Sequence, residues 1–170
     1  MGFNINMKMH FVYKPKIQKM PRTLIYNKPK SSLYTMMTTQ NPRIVGSMWA
    51  QPQKIDDRNF FHIILLVIDE RRKGFGTEFI KFAKNRSYQK NCEGRVFLTS
   101  DINTFESKIP PHIFYRKQGF TSNDKEYLKK IDQFIKEGKE MTYKDNKCIY
   151  MYYEPPKDNI INKIKKIFKK

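Results

Sequence analysis

The sequence predicts a domain of the α+β class that is built on a mixed β-sheet. Two short segments, 32–39 and 44–50, read as strands and flank residues with turn chemistry, which predicts an antiparallel hairpin. A strand, a glycine loop, a helix and another strand follow over residues 60–99, and a connection of this length usually makes its two strands parallel. A helical segment and a last strand, 148–153, complete the pattern.

The chain of 170 residues is long enough for one domain with its own core, and we expect that domain to span residues 1–156. Residues 1–30 are atypical, because an alternating segment, 3–11, predicts a strand and three prolines then interrupt any regular pattern. A polar segment, 51–59, is predicted to be a loop that leads into the next strand.

Residues 157–170 form a basic amphipathic tail. This composition is typical of a helix that docks on a membrane surface or a partner protein, and equally of a terminal helix packed on its own domain. Both interpretations stay open. Its apolar face would hold Ile160, Ile161, Ile164, Ile167 and Phe168, with lysines opposite.

The net charge of +18 indicates anionic partners, which include nucleic acid, acidic membranes, polyanionic cofactors and acidic proteins. The lysines are spread along the whole chain, as on an ordinary solvated surface. The sequence has no RNP, helix-turn-helix or zinc-finger signature, so we do not expect nucleic acid to be the partner.

Cys92 and Cys148 are far apart and belong to no Cys/His cluster, which predicts two free thiols and no metal site. No apolar run is long enough to cross a bilayer, and residues 1–20 lack a secretory signal pattern. We therefore expect a cytoplasmic protein. We also expect a monomer or a homodimer.

The strongest functional signal lies in residues 60–82. Residues 60–68 are apolar apart from His62 and do not alternate, which predicts a strand covered on both faces. A basic loop with two glycines, 71–76, leads from this strand into a helix that we expect to end near Gln89. Because N–H groups at a helix N-terminus attract anions and glycines let a backbone close around them, the segment predicts a site for a phosphorylated ligand.

Two helices are predicted beyond the strand at 95–99. Residues 112–118 read as a short helix that follows a proline-closed loop and ends at Gly119. A longer amphipathic helix begins after Asn123, the expected N-cap, and ends at Gly138.

This order of elements, with two motifs in it, resembles the GNAT superfamily of acyl-CoA-dependent N-acetyltransferases. The family's Arg/Gln-x-x-Gly-x-Gly/Ala loop is matched by residues 71–76, and its Phe-Tyr-x-x-x-Gly-Phe run by residues 114–120. The resemblance covers residues 44–120 well, 148–153 loosely and 1–30 poorly. It implies a mostly antiparallel, twisted sheet with helices on both faces, in three α/β/α layers.

The resemblance implies acetyl-CoA as a co-substrate and no metal. The pantetheine arm would run along the backbone of Leu66, Val67 and Ile68. The pyrophosphate would lie over a loop in which Arg72 stands where family members often carry glycine. The loop residues are Arg71, Arg72, Lys73, Gly74, Phe75, Gly76 and Thr77.

Two side chains are the candidate catalytic groups. Tyr115 holds the position of the family's tyrosine that protonates the departing thiolate, although a core tyrosine would give the same pattern. His62 stands where some members carry a basic histidine, although a lone histidine in an apolar strand is often structural. Asp56 and Asp57, before the strand, are alternative bases that would act through water. The proline insertion shifts the spacing at Asn103, so no role passes to it.

The sequence therefore predicts an N-acetyltransferase that moves an acetyl group from acetyl-CoA to a primary amine by direct attack. The alternative is a non-catalytic basic protein that senses coenzyme A or binds anionic lipid or nucleic acid. The sequence does not indicate which acceptor carries the amine.

Overall fold

The computed structural model describes residues 23–28, 30–39, 42–70, 72–101, 111–139 and 147–156. The predicted strand at 3–11 and the tail at 157–170 lie outside these residues, as do Arg71 and Asn103.

The described residues form six strands and three helices. They are, in chain order, β1 (Thr23–Asn27), β2 (Leu33–Thr38), β3 (Ile44–Ile55), β4 (Arg58–Ile68), α1 (Phe75–Gln89), β5 (Val96–Ser100), α2 (Pro111–Lys117), α3 (Lys125–Glu137) and β6 (Ile149–Tyr153). The strands form one sheet in the order β1-β2-β3-β4-β5-β6. The pairs β1–β2, β2–β3 and β5–β6 are antiparallel, whereas β4 and β5 are joined through α1. The predicted α+β class with a mixed sheet is confirmed.

The described residues form two compact units, and β3, β4 and α1 each contribute to both. Of the described residues, the first unit comprises those within 23–51 and 63–82, and the second comprises those within 52–62 and 83–156.

The first unit has its core between the strands and the beginning of α1. Alternate residues of β1, β2 and β3 are buried, and the Tyr34 ring packs edge-on against Phe82 with 5.1 Å between centroids. Strand β1 was not predicted, because it is only five residues long and sits among residues that looked irregular. Its signal is the apolar triplet 24–26, which lies between two prolines.

The hairpin of β3 and β4 replaces the loop predicted for residues 51–59. Strand β3 continues to Ile55, and a turn of Asp56 and Asp57, with Asp56 at a φ of 46°, leads directly into β4. The prediction was wrong because the second half of β3 is polar. The register of β3 with β2 ends at Trp49. Pro52 lies beyond it, where β2 no longer pairs with β3, so the strand tolerates a residue without an N–H group.

In the second unit, the helix ends follow local capping chemistry. Helix α2 begins at Pro111, a favoured first residue, and Gly119 follows its end with a φ of 86°. The N-cap of α3 is Asp124, which accepts a hydrogen bond from the Tyr127 N–H at 2.9 Å, and the prediction of Asn123 was wrong by one residue. Gly138 ends α3 in a left-handed conformation, as predicted.

Candidate functional site

The loop between β4 and α1 has the geometry of an anion site. The Asp69 N–H donates to the Val45 carbonyl at 3.1 Å, so the contact with β3 continues one residue beyond β4. Arg72 and Gly74 then adopt left-handed conformations, with φ of 61° and 84°. The first helical hydrogen bond runs from the Glu78 N–H to the Gly74 carbonyl at 3.1 Å, so the N-terminus of α1 comes directly after these two residues. Backbone of this kind forms concavities that bind anions.

Arg72 has a left-handed conformation, which glycine adopts more easily than arginine. A side chain in the left-handed region costs roughly 1 kcal/mol, and glycine avoids that cost. Arg72 and Lys73 are both exposed, so their charges are available to a ligand in the loop.

The end of β4 presents apolar side chains to solvent. Ile64, Leu65 and Val67 are 39%, 54% and 43% exposed, while Leu66 and Ile68 are half-buried. The prediction that this strand is covered on both faces is wrong for its second half, because an apolar run does not show whether a neighbour covers it. Exposed apolar surface beside an anion site is typical of a ligand-binding groove.

Gly46 in β3 determines how closely the strands pack beneath the loop. A Cβ atom at this position would lie 2.6 Å from the Val67 carbonyl oxygen, 3.1 Å from Ile68 Cδ1 and 3.2 Å from Phe79 Cε2. Sequence reasoning missed this residue, although a glycine inside a strand pattern often marks a close backbone approach.

Glu78 places a buried carboxylate in the first turn of α1. Its Oε1 accepts from Lys81 Nζ at 2.8 Å, whereas its Oε2 has no hydrogen-bond partner among the described residues. The positive end of the helix dipole stabilises this charge. A bound anion at the same helix end would compete with it for that field.

Tyr115 is buried in the second unit. Its side chain is 9% exposed, and its ring packs against Phe114 and Phe120, with centroid distances of 5.2 and 5.7 Å. Burial raises the pKa of the Tyr115 phenol to about 12, so the hydroxyl keeps its proton near pH 7. It can therefore act as a hydrogen-bond or proton donor.

His62 is half-buried in β4, and its ring lies 5.1 Å from that of Phe97. Burial lowers the pKa of His62, so the imidazole is mainly neutral near pH 7 and can accept a proton. Asp56 and Asp57 form the turn before β4, where Asp57 is exposed and lies 3.3 Å from Lys54 Nζ.

The structure thus groups the predicted site residues in two sets. The backbone of 66–68 and the loop residues 72–77 belong to the first unit, and His62 and Tyr115 belong to the second. Arg71 lies outside the described residues.

Cys92 is buried, Cys148 is exposed, and both are free thiols. Within the described ranges, no group of His, Cys, Asp and Glu side chains could hold a metal ion. The helices of these ranges are all too short or too polar to cross a membrane.

The chain matches no protein-family model and no curated protein. Its fold is similar to several solved N-acetyltransferase structures. The NatB acetyltransferase complex bound to a bisubstrate inhibitor is 15% identical with a TM-score of 0.49, over 74% of this chain and 69% of that chain. An aminoglycoside 6'-N-acetyltransferase complexed with coenzyme A is 14% identical with a TM-score of 0.46, over 75% and 76%. The aminoglycoside 6'-N-acetyltransferase from Enterococcus faecium is 15% identical with a TM-score of 0.44, over 74% and 77%.

Proposed function

We propose that this protein is an acyl-CoA-dependent N-acyltransferase that transfers the acetyl group of acetyl-CoA to a primary amine. One observation carries the proposal. The loop that matches the family's phosphate motif has left-handed residues at Arg72 and Gly74, directly before the N-terminus of α1. The second motif supports it, since residues 114–120 form the end of a short helix and the turn after it.

The residues present fit coenzyme A, which combines a polyanionic nucleotide with a long, weakly polar arm. The pyrophosphate would be held by the N–H groups between Arg72 and Thr77, with Arg71 at the head of the motif. The exposed charges of Arg72 and Lys73 suit the 3′-phosphate. The backbone of Leu66, Val67 and Ile68 would pair with the pantetheine arm, beside the exposed Val67 side chain. The bound co-substrate supplies an acyl thioester that an amine can attack.

In the proposed reaction, the amine nitrogen attacks the thioester carbonyl carbon. A C–N bond forms, the C–S bond breaks, the nitrogen loses a proton and the departing sulfur gains one. His62, mainly neutral near pH 7, accepts the proton of the amine and then releases it to solvent. Tyr115, whose phenol keeps its proton, donates to the sulfur and recovers a proton from solvent.

A second candidate is a protein that binds coenzyme A as a regulatory ligand without turnover. The burial of Tyr115 favours it, because a phenol with a pKa of about 12 is a weaker acid than an exposed one.

Titration calorimetry with acetyl-CoA tests the loop. We expect a dissociation constant on the order of micromolar for the wild type and at least about tenfold weaker binding for Gly74→Val, because the new side chain would block the approach to the backbone. Gly138→Val is the matched control, since Gly138 is also left-handed, with a φ of 64°, but ends α3 with open space around it. Equal binding by wild type and Gly74→Val would contradict the assignment.

Release of free thiol from acetyl-CoA, measured with amino acids, polyamines, aminoglycosides and peptides as acceptors, separates the two candidates. Thiol release with one acceptor class supports the enzyme. Tight binding without release from any acceptor supports the regulatory ligand.

A further inference from the structure

Lys84 has an unusual environment for a lysine in an amphipathic helix. It lies in the second half of α1 and is half-buried. Its Nζ donates to the Gln118 carbonyl at 2.6 Å and lies 3.5 Å from the centroid of the Tyr153 ring and 5.6 Å from that of Phe120. Within the described part of the chain, it has no carboxylate partner.

These contacts hold the turn that ends the helix of Tyr115. Gln118 follows the last residue of α2, and the Phe120 N–H donates to the Tyr115 carbonyl at 3.1 Å. The Phe120 ring lies 5.7 Å from the Tyr115 ring. Lys84 therefore contacts the Gln118 carbonyl and the Phe120 ring. Phe120 in turn contacts Tyr115 through its N–H group and its ring.

Helix α2 needs such external contacts, because seven residues are too few to make a helix stable by itself. On the side of α3, Arg116 makes a bidentate pair with Asp132, with distances of 2.7 and 2.8 Å. At the turn, Arg116 Nη1 also donates to the Phe120 carbonyl at 3.1 Å. The ammonium of Lys84, on the Gln118 carbonyl, is a second charged contact there.

The partial burial of the Lys84 ammonium lowers the stability of the fold. Burial lowers the pKa of Lys84 to about 8, from its usual value of 10.5. Between these values the unfolded chain holds a proton that the folded chain has lost, so stability rises with pH there, and near pH 7 the ammonium is destabilising. A methionine would fill the same space over the rings without this cost. A side chain that lowers stability, at a position where an apolar one would pack without this effect, is typical of a functional position.

We propose that Lys84 is a positioning residue, which fixes the end of α2 so that Tyr115 is held in place for proton donation. The proposal rests on the proposed function of Tyr115. It assigns to Lys84 no contact with acetyl-CoA or with the acceptor.

The test compares Lys84→Met and Lys84→Arg with wild type and with Lys90→Met, which removes an exposed lysine at the end of the same helix. Lys84→Met should lower kcat about tenfold, because a loosened helix misplaces its tyrosine, while KM for acetyl-CoA stays within about twofold. Its thermal midpoint should equal or exceed that of wild type. Lys84→Arg, which keeps a charged donor, should recover at least about half of the wild-type kcat, and Lys90→Met should match wild type.

Two results would overturn the proposal: an unchanged kcat in Lys84→Met, or a fall of kcat and stability together that Lys84→Arg does not restore. If Lys84→Met does not fold, Lys84→Gln is measured in the same way. Hydrogen exchange separates this proposal from the proposed function. If wild type shows no turnover, but the Phe120 amide exchanges at least about fivefold faster in Lys84→Met, the function fails and the Lys84 contact stands. Equal exchange rates overturn the Lys84 proposal, whatever the turnover.

Discussion

Burial, rather than charge partners, sets the protonation of the two candidate catalytic residues. It raises the pKa of the Tyr115 phenol and lowers that of the His62 imidazole, and both groups are therefore mainly neutral near pH 7. Tyr115→Phe keeps the ring contacts and removes only the hydroxyl. We expect kcat to fall by about 10²-fold with an unchanged dissociation constant for acetyl-CoA, as measured by steady-state kinetics and calorimetry.

Tyr127→Phe is the control for this variant. Tyr127 is 7% exposed, and its hydroxyl accepts from the Lys147 N–H at 3.1 Å, so its loss should lower stability by about 0.5–1.5 kcal/mol and leave kcat unchanged. If Tyr115→Phe and Tyr127→Phe behave alike, Tyr115 is a packing residue. The sequence indicated Tyr115 through its motif, but it gave no signal for Lys84, because a lysine in an amphipathic helix has the pattern of a surface residue.

At the scale of elements, the position of the loop between β4 and α1 depends on the contact of β3 with the end of β4 and the first half of α1. Gly46→Ala would place a methyl group 2.6 Å from the Val67 carbonyl oxygen, which is backbone and cannot move aside alone. We expect the free energy of unfolding in urea to fall by about 1–3 kcal/mol, and acetyl-CoA to bind more weakly because β4 is displaced. Ser47→Ala, one residue along the strand, should change neither quantity. A Gly46→Ala variant as stable as wild type would show that β4 shifts without cost.

The elements that the sequence predicted well are those with a local signal. The turn chemistry at 40–43 predicted where β2 ends and β3 begins to within a residue, the apolar spacing of α1 predicted its end, and Gly119 and Gly138 marked helix ends. The errors arose where the deciding contact is distant in sequence. The polar half of β3 is a strand because β4 folds back on it. Leu65 is exposed because no other element of the described residues covers it, and an apolar run in the sequence does not show this.

At the scale of the whole molecule, the net charge of +18 gives the protein some affinity for any polyanion. Binding of a polyanion therefore indicates a function only when it depends on a particular site. Raising the salt from about 50 to about 500 mM should weaken acetyl-CoA binding at least about threefold, because the loop charges are exposed and screened. The salt dependence should shrink for a coenzyme A that lacks the 3′-phosphate, if Arg72 and Lys73 contact that group. In Gly74→Val it should disappear together with the specific binding. A salt-sensitive affinity for RNA or anionic vesicles that is equal in wild type and Gly74→Val, and that coenzyme A does not reduce, would instead locate the functional charge outside the loop and favour a basic binding protein.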